Sequence, residues 1–172
     1  LLRFFETNSR HTMYSLFDIL YDLYYSDSAH TLPQNVLMRG DIEMIKNTFI
    51  FDIERHTYYR NCLLLACCKC INLELIKYLI KCCKMDINHI DANGNNCLLM
   101  ACQGNTNLAV IRYLIEGCNM SLDYVAYNHD NCLLLACWRN TNLEVIRYLI
   151  EDCLMSPNHV DGHGINCLLK AC

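Results

Sequence analysis

The chain has 172 residues and a net charge of −4, with acidic and basic residues intermixed along its length. This balance argues against a nucleic-acid-binding protein and against a polybasic membrane patch. The longest apolar runs, such as residues 63–68, are far shorter than the roughly 20 residues that a membrane-spanning helix requires. We therefore expect a soluble chain that forms one compact domain or one short solenoid.

Fourteen cysteines would suggest a disulfide framework in a small secreted protein. Here most of them recur at a fixed interval inside apolar segments, where free cysteine behaves as a small hydrophobic residue. This pattern favours a reducing compartment and a cytoplasmic location. The chain lacks an initiator Met and its last residue falls inside a repeated motif, so we expect it to be a piece of a longer polypeptide.

Residues 1–30 are rich in aromatic side chains and predict one or two helices. They either cap the structure that follows or end a preceding domain. Residues 31–60 form a weaker unit, in which residues 40–46 resemble the opening of a helix that recurs downstream. We interpret them as an atypical first repeat, because an end unit has one face without a neighbour.

The rest of the chain is a tandem repeat. The motif Asn-Cys-Leu-Leu begins at residues 61, 96, 131 and 166, and Ala-Cys follows at 66, 101, 136 and 171. The spacing is 35 residues each time, and the Tyr-Leu-Ile motif at 78, 113 and 148 keeps the same offset. The repeat divides the chain into units 61–95, 96–130 and 131–165, with a truncated unit at 166–172.

Each unit predicts two helices. In the first helix, Asn96 is the expected cap, and Cys97, Leu98, Ala101 and Cys102 form a buried stripe. In the second, Asn107 is the expected cap of a helix whose apolar residues run from Leu108 to Cys118 at three-and-four spacing. The recurring tyrosines are expected to be structural. Polar segments 88–94 and 158–164 are rich in Asn, Asp and Gly, and favour a hairpin-like finger between units.

The run Gly-Asn-Asn-Cys-Leu-Leu-Met-Ala-Cys at residues 94–102 resembles the ankyrin motif Gly-x-Thr-Pro-Leu-His-x-Ala-Ala. The Leu-x-x-Ile-x-x-Leu-Ile run resembles that family's second helix. The resemblance covers residues 35–172 and implies an all-α ankyrin-type solenoid of stacked helix-turn-helix repeats with hairpin-like fingers. The unit has 35 residues rather than about 33, so we place one extra residue in the inter-helix loop and one at residues 119–121. Repeats rich in Asn, Cys and Ile are also similar to the ankyrin-type proteins of giant viruses of amoebae, which would imply a host-cytoplasm or virion location.

Zinc binding is the sharpest chemical alternative, because Cys68, Cys70 and Cys82 stand beside the recurring cysteines. Equivalent cysteines in neighbouring repeats should lie about 8–10 Å apart, too far for a shared ion or a disulfide. We interpret the cysteines as core residues and leave a local zinc or redox role for these three as the alternative. The histidines at 89, 129, 159 and 163 are interpreted as turn residues, with pH sensing or metal capture as the alternative.

No catalytic motif is present: the sequence has no G-x-S-x-G elbow, P-loop or H-E-x-x-H pair. We therefore expect no enzyme activity, no cofactor and no metal site.

The resemblance implies a protein-protein interaction module that binds another protein through its finger tips and the open face of its first helices. Residues at these positions differ in chemistry from repeat to repeat, while their neighbours do not. The expected partner-binding residues are Tyr58, Arg60, Lys69, Ala92, Asn93, Asn95, Gln103, Tyr127, Asn128, Trp138, Arg139 and His163. Trp138 is either an interface anchor or a side chain folded over the inter-helix loop.

Two other functions remain open at this point. One is a structural or assembly protein, such as a virion or scaffold component, that associates with copies of itself. The other is an adaptor that delivers substrates to a ubiquitin ligase.

Overall fold

The computed structural model describes residues 60–172, with side chains described from Leu63 onward. The helices predicted in residues 1–30 and nearly all of the atypical repeat 31–60 lie outside the described residues. The described chain consists of helices and turns, as the repeat predicts. Its helices are α1 (Arg60–Lys69), α2 (Leu73–Lys81), α3 (Cys97–Gly104), α4 (Leu108–Arg112), α5 (Cys132–Arg139), α6 (Leu143–Arg147) and α7 (Cys167–Ala171).

The first helices of successive units, α1, α3, α5 and α7, stack side by side. Each of the last three begins at an asparagine whose side chain accepts a backbone hydrogen bond, as Asn96 does from Leu99 at 2.9 Å. Residues 97–102 of α3 are all buried, because neighbouring first helices and the second helix surround them. The predicted caps and the predicted core of the first helices are thus confirmed.

The second helices lie behind the first, and Asn72, Asn107 and Asn142 cap them as expected. Their ends differ from the prediction of an ordinary helix to Cys118. Tyr113–Gly117 and Tyr148–Asp152 form wide π-helical turns, closed by a bond from the Cys118 amide to the Tyr113 carbonyl at 3.0 Å. A π turn contains one residue more than an α turn. The placement of an extra residue at 119–121 stays a prediction.

The inter-helix loop contains the other unexpected feature. Asn105 is fully buried, and its amide donates to the carbonyls of Cys67 and Cys70 in the preceding unit, both at 2.8 Å. Asn140 repeats the arrangement one unit later. We call Asn105 and Asn140 the clamp asparagines. They tie each unit to its predecessor through hydrogen bonds that satisfy buried backbone groups.

No helix of residues 60–172 has both the length and the apolar character needed to cross a bilayer.

Candidate functional site

Two of the three described finger turns are held by an aspartate, and the middle finger has Ala126 at the equivalent position. The Asp91 carboxylate accepts hydrogen bonds from the amides of Asn93 and Asn95, both at 2.8 Å. Asp161 does the same for His163 and Ile165. Such local bonds fix a tight turn and present the residues at its tip to solvent.

Neighbouring fingers are joined through their backbones. The Tyr127 amide donates to the Asn93 carbonyl at 3.1 Å, and the Gly162 amide donates to the Asn128 carbonyl at 2.8 Å. Tyr127 also lies directly over Gly94, where a Cβ would approach its ring to 2.8 Å. The finger tips thus form one continuous edge of the molecule.

A buried charge cluster lies where the second and third described fingers meet the first helices. Lys170 on α7 pairs with both Asp130 and Asp161, at 3.0 Å each, and both carboxylates are buried. The Asp130 Oδ1 has this ion pair without a well-directed hydrogen bond, while its Oδ2 accepts from Asn128 at 2.6 Å. The cluster fixes the base of the fingers to the end of the stack.

The cluster shifts the pKa values of its members. Backbone hydrogen bonding from Ile165 and the charge of Lys170 lower the pKa of Asp161 from 3.8 to about 2. Burial lowers the pKa of Lys170, but the two carboxylates outweigh it and leave that pKa raised. Asp161 and Lys170 are therefore both charged at neutral pH. The sequence analysis missed this cluster, although a lysine stands at 170 where the other units have Leu65, Met100 and Leu135.

Trp138 lies at the end of α5 and is 46% exposed. The Arg139 guanidinium stands 4.3 Å from the centre of its ring and the Lys170 ammonium 5.5 Å. Both distances are typical of cation–π contacts. The indole therefore packs on charged groups and keeps a large solvent-facing area.

The structure separates the predicted partner-binding residues into three groups. Tyr58 lies outside the described residues, and Arg60 begins α1 with its side chain undescribed. Asn95 and Gln103 are partly buried, and the side-chain amide of Asn95 donates a hydrogen bond to the Asp91 carboxylate. The exposed residues are Lys69, Ala92, Asn93, Tyr127, Asn128, Trp138, Arg139 and His163.

These exposed residues fall into two surfaces. The finger edge comprises Ala92, Asn93, Tyr127, Asn128 and His163. The helix-end surface comprises Lys69, Gly104, Trp138 and Arg139, together with the partly buried Gln103.

The cysteines form contacts that the sequence reasoning did not foresee. Equivalent cysteines, 35 residues apart, were predicted to be too far apart for a shared ion or a disulfide, but non-equivalent cysteines 30 residues apart meet at the boundary between units. Hydrogen bonds join the thiols of Cys67 and Cys97, Cys102 and Cys132, and Cys137 and Cys167. The sequence could have indicated these contacts, because each contacting pair of cysteines is separated by 30 residues.

All described cysteines are free thiols. The hydrogen bond that the Cys67 thiol donates to Cys97, together with burial, raises the pKa of Cys67 well above its usual value, and burial raises the pKa of Cys68 to about 11. Reactivity at neutral pH is therefore suppressed. Cys68 and Cys70 are buried, whereas Cys82 is exposed. No group of three or more metal-ligating side chains is found within residues 60–172.

A family model for ankyrin repeats, three copies long, matches residues 35–124 and again residues 63–161. These matches cover well over half of the sequence. No match to a curated protein was found, and the similarity to giant-virus proteins stays a prediction. Paired helices with a 35-residue period and aspartate-built fingers agree with the family model. The chain therefore belongs to the ankyrin-repeat family.

Proposed function

We propose that this chain binds a partner protein through the finger edge and the helix-end surface. Ankyrin repeats generally serve as protein-interaction modules, and proteins built from them are typically non-enzymatic. The observation that carries the proposal is the half-exposed indole of Trp138, whose ring centre lies 4.3 Å from the Arg139 guanidinium and 5.5 Å from the Lys170 ammonium. Tryptophan and arginine are the residues most enriched among those that dominate binding energy at interfaces.

The scaffold does not require this tryptophan. The equivalent positions hold the buried Cys68 and the partly buried Gln103, and their helices stack in the same way. Tyr127 is similarly exposed and replaces Ala92 and Gly162 on the adjacent fingers. Two large exposed aromatic residues thus belong to one finger and the helix that follows it. This concentration supports a binding site centred on α5 and the finger before it.

Affinity capture with matched variants tests the proposal. The immobilised chain, its Trp138→Ala variant and its Leu143→Ala variant would be exposed to the same lysate of source cells. Leu143 is an exposed apolar residue at the start of α6 and belongs to neither the finger edge nor the helix-end surface. We expect a protein retained by the wild type and by Leu143→Ala, and depleted with Trp138→Ala. Equal retention by all three would contradict the proposal.

The free, buried thiols support a reducing environment, and we propose a cytoplasmic location for the protein.

A further inference from the structure

The helix-end surface holds cations at equivalent positions of alternate units. Lys69, Gly104 and Arg139 occupy the same place in successive repeats, and both cations are exposed. A Cβ at Gly104 would lie 3.8 Å from the Lys69 ammonium and 2.6 Å from the Cys68 sulfur. The Cys68 sulfur therefore leaves no room for a side chain at position 104, and the Lys69 ammonium lies at ordinary contact distance from the same end of α3. The charges of both Lys69 and Arg139 act on the Cys68 thiol, and each lowers its pKa against the larger effect of burial.

Unlike Lys69 and Arg139, the cations Lys77 and Arg147 on the second helices form ion pairs with glutamates. Lys77 pairs with Glu74 at 2.7 Å, and Arg147 pairs with Glu144 at 3.0 Å, each on its own helix. Within the described part of the chain, neither Lys69 nor Arg139 has a carboxylate in ion-pair distance. The carboxylates at the base of the fingers, Asp130 and Asp161, are buried and form ion pairs with Lys170.

Arg139 is also pre-oriented. Its guanidinium lies over the Trp138 ring, 4.3 Å from the ring centre, and this contact restricts the side chain of an exposed residue. A guanidinium presents parallel N–H donors that match the two oxygens of a carboxylate. Stacking on an indole reduces the side-chain freedom that binding would otherwise remove.

From this geometry we propose that the helix-end surface binds an acidic segment of a partner protein, with a glutamate or aspartate side chain accepted by Arg139 and a second by Lys69. The proposal rests on the protein-binding function proposed above and adds the chemistry of the partner. A short acidic peptide fits better than a nucleic acid, because the helix-end surface offers two exposed cations, Lys69 and Arg139, and the chain has a net charge of −4. Trp138 supplies an apolar contact beside the ionic ones.

Fluorescence anisotropy with synthetic probes tests the proposal. The probe is a fluorescein-labelled peptide with four glutamates spaced by Gly and Ser, and its matched control carries glutamine in their place. A single-stranded DNA oligonucleotide of eight nucleotides is the third probe. We expect the glutamate peptide to bind at least about tenfold more tightly than the glutamine peptide, because hydrogen bonds between a cation and a carboxylate are stronger than those between a cation and a neutral amide. Binding should weaken as salt is added.

The matched variants are the pair Lys69→Gln with Arg139→Gln and the pair Lys77→Gln with Arg147→Gln. Both pairs remove two positive charges, but only the first pair lies on the helix-end surface. We expect the first pair to lose the preference for glutamate and the second to keep it. Equal loss in both pairs, tighter binding of the DNA, or no saturable binding of the glutamate peptide would overturn the proposal. If these results appear while a captured partner still depends on Trp138, the interaction function stands and only its acidic chemistry is rejected.

Discussion

Arg139 and Asn140 are adjacent in sequence and have opposite roles. Arg139 is exposed on the face of Trp138, whereas Asn140 is buried and donates to two carbonyls of the preceding unit at 2.9 Å. One unit earlier, the clamp position again holds asparagine, as Asn105, but the neighbouring position holds Gly104. Stacking is thus determined by residues that recur, and the residue beside each clamp is free to change. A recognition surface can therefore vary without altering the scaffold that carries it.

The largest effect is expected in the shared core. Leu114 is fully buried between helices, so Leu114→Ala should destabilise the fold by roughly 2–5 kcal/mol, as a large-to-small change in a packed interior. Leu143→Ala, at an exposed position, is the control and should change stability very little. Urea denaturation followed by circular dichroism measures both. A change under about 0.5 kcal/mol for Leu114→Ala would mean that the segment Tyr113–Gly117 packs through another face.

A smaller effect should separate the clamp from its neighbour. Asn140→Ala removes both donors to the preceding unit and leaves buried carbonyls unpaired, which should cost about 1–3 kcal/mol. Arg139→Ala removes an exposed side chain and should leave the denaturation midpoint nearly unchanged. Similar losses of stability from the two variants would mean that Arg139 contributes to folding as much as Asn140 does.

Relief of backbone strain at Leu154 should raise the stability of the fold, whereas the preceding variants lower it. Leu154 has a φ of 56° at the end of the second helix and is 82% exposed, while the equivalent residue in the unit before is Asn119. Asparagine and glycine tolerate this left-handed conformation better than leucine. Leu154→Asn should therefore stabilise the fold by about 0.5–1 kcal/mol. Leu143→Asn is the control without positive φ, and thermal melting that raises the midpoint equally in both would exclude relief of strain.

The charge cluster makes stability depend on acid pH. Because the folded-state pKa of Asp161 is lowered from 3.8 to about 2 by the Ile165 amide and Lys170, its contribution is fully present above pH 4. It is lost as the pH falls toward 2. The difference in unfolding free energy between wild type and Asp161→Asn should therefore shrink across this window. Chemical denaturation between pH 2 and pH 6 tests this, and a difference independent of pH would show that the carboxylate charge contributes nothing.

The features that recur in every unit were predicted from the sequence. The caps at Asn96 and Asn107 and the buried stripe of α3 follow from periodicity, because one solution is used in every unit. The clamp asparagines were missed because their partners are backbone carbonyls about 35 residues away, which no local pattern reveals. The Lys170 cluster was missed for a related reason. Its three charged residues come from two fingers and a helix, and only the stacked fold brings them together.

Trp138→Ala tests the separation of scaffold from surface most directly, by comparing two quantities on a single variant. The partner captured by the wild-type chain should bind the variant with a loss of about 2 kcal/mol or more, while the free energy of unfolding changes by much less. The reason is that the indole is half exposed and that Cys68 and Gln103 serve the same position elsewhere. An unchanged affinity together with a stability loss of roughly 3–5 kcal/mol would show that Trp138 is a core residue. Binding would then have to be sought along the finger edge, at Tyr127 and His163.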